Sequence, residues 1–440
     1  MKIAMIGTGY VGLVSGVCLS EFGHEVVCVD KNQDKLALLR AGKTPIFEPG
    51  LDTLMARNTA ANRLSFTDDL KEATQGADAV FIAVGTPSRR GDGHADLSFV
   101  FGAAKEVAEA LTQPTVIVTK STVPVGTNQQ VAEIMHDARP DLACDVVSNP
   151  EFLREGAAID DFMHPDRVVV GVNSERGAEV MQEIYRPLSR RDYPVLTTDL
   201  ETAEMIKYAA NAFLATKVTF INEMAMLCER TGADVKEVAN GMGFDSRIGP
   251  KFLQAGPGYG GSCFPKDTKA LARIGQDNST PLQIVETVIK VNEEVKRLMV
   301  EKIIDLCDEK LRGKTIAVLG LTFKPDTDDM RDAPSLTVVP ALVGQGADVR
   351  VVDPQAYREA NELLPNVTWF EDPYAAVEGA HAVIMLTEWN EFRALDLRGM
   401  ASRMAAPRMA DLRNMYGCDD ALAAGFEAYV CMGRKSQLPS

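Results

Sequence analysis

A chain of 440 residues has room for two or three domains, and 46% hydrophobic with 25% charged residues is the balance of a soluble globular protein. The formal net charge of −16 argues against a nucleic-acid or anionic-membrane surface, so an anionic ligand must be met by local Lys, Arg and backbone N–H groups. Eight cysteines without CxxC or Cys/His spacing disfavour a zinc site or disulfide framework, and fit a reducing cytoplasm.

The chain opens on MKIAMIG, an apolar run ending in glycine, which predicts a buried parallel strand. Lys2 and the apolar residues up to Cys18 imitate a signal peptide, but Gly7, Gly9 and Gly12 break the run and no A-x-A-like cleavage site closes it. Secretion is therefore not expected, and no uninterrupted apolar run reaches transmembrane length. Gly7-Thr8-Gly9-Tyr10-Val11-Gly12 matches GxGxxG between a strand and a helix. Those glycines allow a tight turn, close approach of a pyrophosphate and tight helix–strand packing. The helix start offers N–H groups and a positive dipole end. HEVVCVD is the next strand, and Asp30 at its end would accept hydrogen bonds from an adenosine ribose. That favours NAD over NADP; Lys31 and Lys35 soften the preference without overturning it. The alternative is a purely structural glycine turn.

Apolar runs followed by small polar residues recur at Ala77–Pro87, Thr115–Pro124 and Cys144–Phe152. Strands alternating with helical segments imply a doubly wound parallel sheet, whose ligands bind outside the carboxyl ends of the strands. Gly85, Thr86, Pro87, Ser121, Thr122 and the stretch Asn149 to Glu155 therefore become candidates. Within it, Glu151 and Glu155 could position water or accept protons. A solvated helix start explains them equally well.

A long helix is expected from about Thr198, with Thr198 and Glu201 as a capping box and Gly232 as its stop. It is apolar nearly all round between Met205 and Leu227, so more than one neighbour must cover it. Such a helix suits a link between two domains and a subunit interface. Lys207 and Asn211 are four apart and share one face. The lysine either meets a polar site or snorkels from an interface.

Between Gly249 and Lys266 lie five glycines, three prolines and Cys263, and Lys266 and Asp267 follow the cysteine closely. This composition suits a loop whose amides press against a ligand. Cys263, beside a cation and a carboxylate, is a candidate nucleophile; a buried free thiol is the plainer alternative.

A third region echoes the first: KTIAVLGLTF against KIAMIGTGY, ADVRVVDP against HEVVCVD, HAVIMLTEW against DAVFIAVGTP. The second copy lacks the full glycine set, since Leu321 and Thr322 follow Gly320, so a dinucleotide is less expected there, while a mononucleotide or sugar nucleotide could still sit at its switch point. Two unrelated α/β domains would also give such echoes. Lys324 and Arg331 could meet phosphates at this switch point, or form a solvated charge cluster.

Taken in order, GTGYVG, TPIFEPG, GTP, KSTVPVGT, NPEFLREG, EMIKYAANAFLATKVTFINE, RIGPKFLQAGPGYGGSCFPKD and GLTFKPDTDDMRDAPS closely resemble the UDP-glucose/GDP-mannose dehydrogenase family, along essentially the whole chain. GPGYGGSCFPKD, TEWNEF and DLRN favour the branch that acts on UDP-glucose. The resemblance implies two Rossmann-like doubly wound parallel-sheet domains joined by a long central helix: an NAD-binding domain over 1–197, a helical part with the cysteine loop and dimer interface over 198–300, and a UDP-sugar-binding domain over 301–440. It implies a homodimer or larger assembly.

It further implies that Cys263 is the nucleophile and that Lys207, Asn211, Asp267, Thr122, Glu151 and Glu155 complete the catalytic set. Sugar-nucleotide contacts would come from Glu151, Phe152, Leu153, Arg154, Glu155, Lys207, Asn211, from Phe252, Leu253, Gln254, Ala255 and Gly256, and from Gly260 and Lys324. Arg247 matches an arginine that reaches into a neighbouring subunit's site. NAD contacts would come from Gly7, Gly9, Tyr10, Val11, Gly12, Asp30, Lys35, Gly85, Thr86, Pro87, Ser121, Thr122, Glu155, Lys266 and Arg331, and no metal is expected. The implied reaction is a four-electron oxidation of a primary alcohol to an acid through a Cys263 thiohemiacetal and thioester. Relatives acting on GDP-mannose or a UDP-N-acetylhexosamine, and a silent ligand-binding regulator, are the alternatives.

Overall fold

The computed structural model describes residues 1–89 and 93–438. Its first sheet is built from β1 Lys2–Ile6, β2 Glu25–Val29, β3 Leu64–Thr67, β4 Ala79–Ile82, β5 Val116–Thr119, β6 Asp145–Ser148, β7 Val168–Val172 and β8 Val195–Thr198. The strand order is β3-β2-β1-β4-β5-β6-β7-β8. Alternate residues of these strands enter two different cores. Ile3, Met5, Cys28, Phe81 and Val118 face one; Ala4, Val27, Val80, Ile82 and Ile117 face the other. A strand buried on both faces must be apolar at every position, which is why these runs show no alternation. One feature departs from the expected parallel sheet: β7 meets β6 antiparallel, and β8 then runs parallel to β7.

The second sheet comprises β9 Thr315–Leu319, β10 Asp348–Val352, β11 Thr368–Trp369, β12 Ala382–Met385, β13 Arg408–Asp411 and β14 Ala428–Cys431. Its order is β11-β10-β9-β12-β13-β14, and every pair is parallel. This repeats the order of the first six strands of the first sheet. The three sequence echoes are thus β9, β10 and β12, the counterparts of β1, β2 and β4. Ile316, Val318, Val351 and Ile384 pack into one core; Ala317, Leu319, Val383 and Met385 pack into another. Helix Gln283–Leu306 covers the first of these cores with Val291, Val295, Met299, Ile303 and Leu306, a stripe of helical period.

The chain divides into two compact units: Met1–Ala210 with Arg273–Thr280, and Asn211–Ala272 with the residues from Pro281 onward. The central helix Leu200–Thr231 begins in the first and ends in the second. Its cap differs from the expectation. Thr198 is the last residue of β8, and Asp199 caps the helix instead, accepting from the Thr202 N–H (2.7 Å) and hydroxyl (2.8 Å). A carboxylate with two donors from one residue outcompetes the neighbouring threonine hydroxyl. Gly232, at φ +78°, ends the helix as expected. Phe213, Phe220 and Leu227 recur every seven residues on this helix and are 66%, 42% and 53% exposed.

Gly320 holds the turn after β9 at φ +91°, where an added Cβ would lie 2.4 Å from the Thr387 Cβ. Gly320→Ala should therefore cost about 2 kcal/mol or more of unfolding free energy in a urea titration. A change below about 0.5 kcal/mol would show that the turn can relax.

Candidate functional site

In the first unit, Gly7 leaves β1 at φ +100°, and a Cβ there would stand 2.7 Å from the Ala83 carbonyl oxygen. A Cβ on Gly12 would lie 2.0 Å from the Gly7 oxygen. Both must be glycine for the turn to close. Gly9 and Gly85 are different: a Cβ on either meets nothing within 4 Å. Their missing side chains leave open space in front of the backbone, as a dinucleotide needs. Helix Tyr10–Glu21 starts at Gly9 with no side-chain cap, so its first amides face that space uncapped. Asp30 accepts from the Thr8 N–H (3.0 Å) and hydroxyl (2.5 Å) and from the Asn32 N–H (2.9 Å). Burial works against its charge, but these hydrogen bonds and nearby Lys35 outweigh it and hold the carboxyl below its ordinary range. It stays an acceptor at neutral pH. The residues present therefore fit NAD.

The strand ends assemble the remaining groups of this unit. Thr86 Oγ1 donates to the Thr122 carbonyl (3.0 Å) and Ser121 Oγ to the Val84 carbonyl (2.6 Å), tying the loops after β4 and β5 together. After β6, Glu151 is buried, with one oxygen on the Leu153 N–H (2.5 Å) and the other on Lys207 Nζ (3.0 Å). Burial disfavours its charge, yet Lys207 and the Leu153 amide overcome that and hold its carboxyl below the ordinary range. Lys207 also lies 5.3 Å from the centre of the Phe152 ring, which Arg167 stacks on at 3.7 Å. The lysine is thus a buried ion-pair partner rather than a snorkelling one, with a side chain 3% exposed. Arg154 is turned onto Asp161 (2.6 Å). Glu155 is partly exposed and near enough to Tyr10 to raise its phenol pKa, after burial and Glu48.

In the second unit, Cys263 immediately precedes helix Phe264–Asp277, and its carbonyl accepts from the Asp267 N–H (2.8 Å). Helix amides and dipole favour negative charge at this position. Asp267 is fully buried, bonded by Asn211 Nδ2 (2.6 Å) and by the Lys266 ammonium. The glycine loop before the cysteine is pinned at several points. Asn222 accepts from the Gly256 N–H (2.9 Å), and Asn292 clasps both backbone groups of Tyr259 (2.8 and 3.1 Å). Asp329 accepts from the Ser262 N–H (3.1 Å) and from the Arg331 guanidinium (2.7 and 3.0 Å). A Cβ on Gly260 would strike the Asp332 carbonyl at 2.5 Å, which packs the loop against the segment carrying Arg331. Phe252 sits at φ +66° at the turn into Leu253, Gln254 and Ala255. Lys324 lies over the Phe323 ring at 5.5 Å, and Arg413 holds that loop through the Phe323 carbonyl (2.8 Å). Arg247 is exposed and paired with Asp245 (2.6 Å). Asp353, the counterpart of Asp30, is bonded by the Leu321 N–H (2.7 Å), the Thr322 N–H (3.1 Å) and the Trp389 indole (3.2 Å).

Several positioning residues carried no periodic signal. Glu48 binds the Tyr10 hydroxyl and the Gly156 and Ala158 amides (2.7 and 2.8 Å), fixing the 151–156 loop. Asn222 and Asn292 are buried amides on helices, and a polar residue at an otherwise apolar helix position was their one clue. Lys120 closes the apolar run of β5 and is 4% exposed. A lysine at the end of such a strand was the available sign.

The glycine turn of the first unit, with open space before uncapped helix amides and Asp30 held as an acceptor, defines a dinucleotide-binding protein. The family models for the NAD-binding, central and UDP-binding domains of UDP-glucose/GDP-mannose dehydrogenases match residues 1–189, 201–294 and 317–418. The chain belongs to the UDP-glucose/GDP-mannose dehydrogenase family, and its N-terminal part is the NAD-binding domain. It is 57% identical to a UDP-glucose 6-dehydrogenase of Rhizobium meliloti (strain 1021) over 99% of this chain and 100% of that one. A UDP-glucose 6-dehydrogenase of Bacillus subtilis (strain 168) is 48% identical, with 100% and 99% covered. Among solved structures, a UDP-glucose dehydrogenase from Pyrobaculum islandicum matches at TM-score 0.91 and 39% identity, covering 98% of both chains. Among the described residues no helix is long and apolar enough to cross a membrane.

Burial pulls the Lys120 pKa from 10.5 down to about 8, opposed by Glu151 and assisted by Lys207. Between those two pH values the unfolded chain holds this proton and the folded chain releases it, so stability contributed here rises with pH. Thermal unfolding of the wild type should gain on Lys120→Met as pH rises from 8 to 10.5. Parallel pH slopes for the two proteins would contradict the buried-cation assignment.

Proposed function

We propose that this chain oxidises UDP-glucose to UDP-glucuronate in two NAD-dependent steps, with Cys263 holding the intermediate. The observation that carries the chemistry is Cys263 at a helix start, preceded by a pinned glycine loop and followed by buried Asp267 with Asn211 and Lys266. When bound, NAD supplies the hydride acceptor for each two-electron oxidation. Gly7, Gly9, Tyr10, Val11, Gly12, Asp30, Lys35, Gly85, Thr86, Pro87, Ser121 and Thr122 would hold it, with Glu155, Lys266 and Arg331.

Cys263 adds as the thiolate to the C6 aldehyde, giving a thiohemiacetal that keeps the intermediate from leaving. Its oxidation gives a thioester, which water hydrolyses to the acid. Lys207 and Asn211 stabilise the oxyanion at C6. Asp267, with Thr122 and the carboxylates Glu151 and Glu155, orients water and accepts protons. The first proton is taken either by Lys207 directly or by a carboxylate-held water. Phe252 to Gly256, Gly260 and Lys324 bind the sugar nucleotide, together with the Glu151–Glu155 turn. The working parts are an NAD-binding domain over 1–197, a helical part over 198–300 and a UDP-sugar-binding domain over 301–440. A homodimer is supported by the exposed Phe213, Phe220 and Leu227 stripe, which a second copy would cover.

The reaction is tested by counting NADH per sugar nucleotide consumed. Two NADH per UDP-glucose, with little from GDP-mannose, is expected; one NADH with released aldehyde would remove Cys263 from its role. Cys263→Ser should bind both ligands and stall, and steady turnover to the acid by that variant would overturn the thioester. Arg247→Ala should weaken UDP-sugar binding about tenfold or more and leave NAD binding nearly intact, as a subunit-crossing contact requires. Equal loss of both ligands would mean misfolding instead.

A further inference from the structure

Lys120 is a buried ammonium that none of the roles above uses. It stands at the carboxyl end of β5, where Nζ donates to Asn149 Oδ1 (3.1 Å) and to the Tyr185 hydroxyl (3.4 Å). It also lies 5.8 Å from the Phe162 ring centre and 5.9 Å from that of Tyr185. These partners are neutral. They solvate the ammonium without cancelling its charge, and burying a charge this way is costly. Asn149 is itself fully buried and directly precedes Pro150 and Glu151; its amide also grips the Val169 carbonyl (2.7 Å). The ionisable groups that face Lys120 are the Tyr185 phenol, the Glu151 carboxylate and the Lys207 ammonium. Two buried lysines thus stand around one buried carboxylate.

We propose that Lys120 is a positioning residue for the oxidation: from the ends of β5 and β6 it fixes the Asn149–Glu151 turn and keeps Glu151 charged while Lys207 exchanges protons. The proposal rests on the reading of the reaction given above. Its physical content is a cation count. With Lys207 alone, a proton leaving the lysine would strand a carboxylate in a dry site, and the carboxylate would tend to take that proton. A second ammonium, held on Asn149 two residues before Glu151, opposes this tendency and favours the charged carboxylate in both protonation states of Lys207. Lys120 itself touches neither substrate nor cofactor in this account. Its side chain is committed to Asn149 and Tyr185, and its effect passes through the turn and the field. A purely structural lysine would fix the same turn but leave the protonation of Glu151 alone.

The test compares Lys120→Met, Lys120→Gln and Lys120→Arg with the wild type in NADH formation from UDP-glucose across pH 5 to about 10. Removing the charge should move the acid limb of kcat upward by about one pH unit and lower kcat about tenfold, with KM for UDP-glucose within about twofold. Lys120→Arg should restore the limb. An unmoved limb in the neutral variants would overturn the proposal, even if they unfold more easily. Should the Met variant fail to fold, the Gln variant, which keeps a donor for Asn149, carries the same readout.

A second arm needs no turnover. In a thermal-unfolding cycle of Lys120→Met with Glu151→Gln, the two changes should be non-additive by about 2 °C or more, because each charge alters what the other costs. Additivity would sink the coupling. A wild type that makes no NADH from UDP-glucose would overturn the reaction, and the cycle would still decide whether Lys120 and Glu151 are coupled.

Discussion

The central strands of both sheets are covered on both faces by apolar side chains, so they can offer polar groups only at their ends. The candidate groups of the first sheet follow from that constraint. The loops after β1, β4, β5 and β6 carry the glycine turn, Thr86, Thr122 and Glu151, and they sit side by side because β1, β4, β5 and β6 are consecutive neighbours in the sheet. In the second unit the same order brings the turn after β9 beside that after β12, where Thr387 Oγ1 donates to the Thr322 carbonyl (2.5 Å). The two turns differ in what they leave open. At Gly9 the backbone faces space. At the second turn, Asp353 already accepts from four amides, the Thr322 hydroxyl and the Trp389 indole, against three donors at Asp30, so a ribose would find fewer free lone pairs there.

Electrostatics in the site runs against the global charge. The chain carries −16, yet the end of the first sheet holds Lys120 and Lys207 in its interior. Buried lysines are costly unless their surroundings compensate. Here an amide oxygen, a phenol and aromatic faces receive one, and a carboxylate receives the other. The result is a carboxylate held below its usual range although it is buried. In water the same pair would be worth little; without water it fixes which group carries charge.

Rigidity in the second unit has a comparable origin. Glycines give the loop before Cys263 its shape but also make it entropically loose. Buried amides restore order: Asn222 and Asn292 meet backbone groups that would otherwise be unpaired, and Asp329 clamps Ser262 beside the cysteine. The cysteine is therefore presented on a helix start by a loop fixed through side chains from helices and from the segment after β9. For the nucleophile role proposed for Cys263, such fixing matters more than local stability.

Much of the fold was legible because the relevant physics is local. Apolar runs of strand length, glycines at turn positions and the stop at Gly232 marked the two doubly wound sheets and the central helix. The reversal at β6/β7 was not legible, since a buried strand reads alike in either direction; nor was the cap, because Thr198 and Asp199 are adjacent and either residue type can cap a helix. Glycine spacing and strand-end position also singled out Gly7 to Gly12, Asp30, Cys263 and Glu151 as candidates. The state of those groups was decided only in three dimensions. Lys207 pairs with Glu151 across 56 residues of sequence, Asn211 with Asp267 across another 56, and Lys120 with Asn149 and Tyr185 across 29 and 65. Sequence by itself determined which residues could do chemistry, because residue type and strand-end position are local properties. Tertiary structure decided which of them are charged, buried and held, because charge in a protein interior depends on partners that only folding brings together.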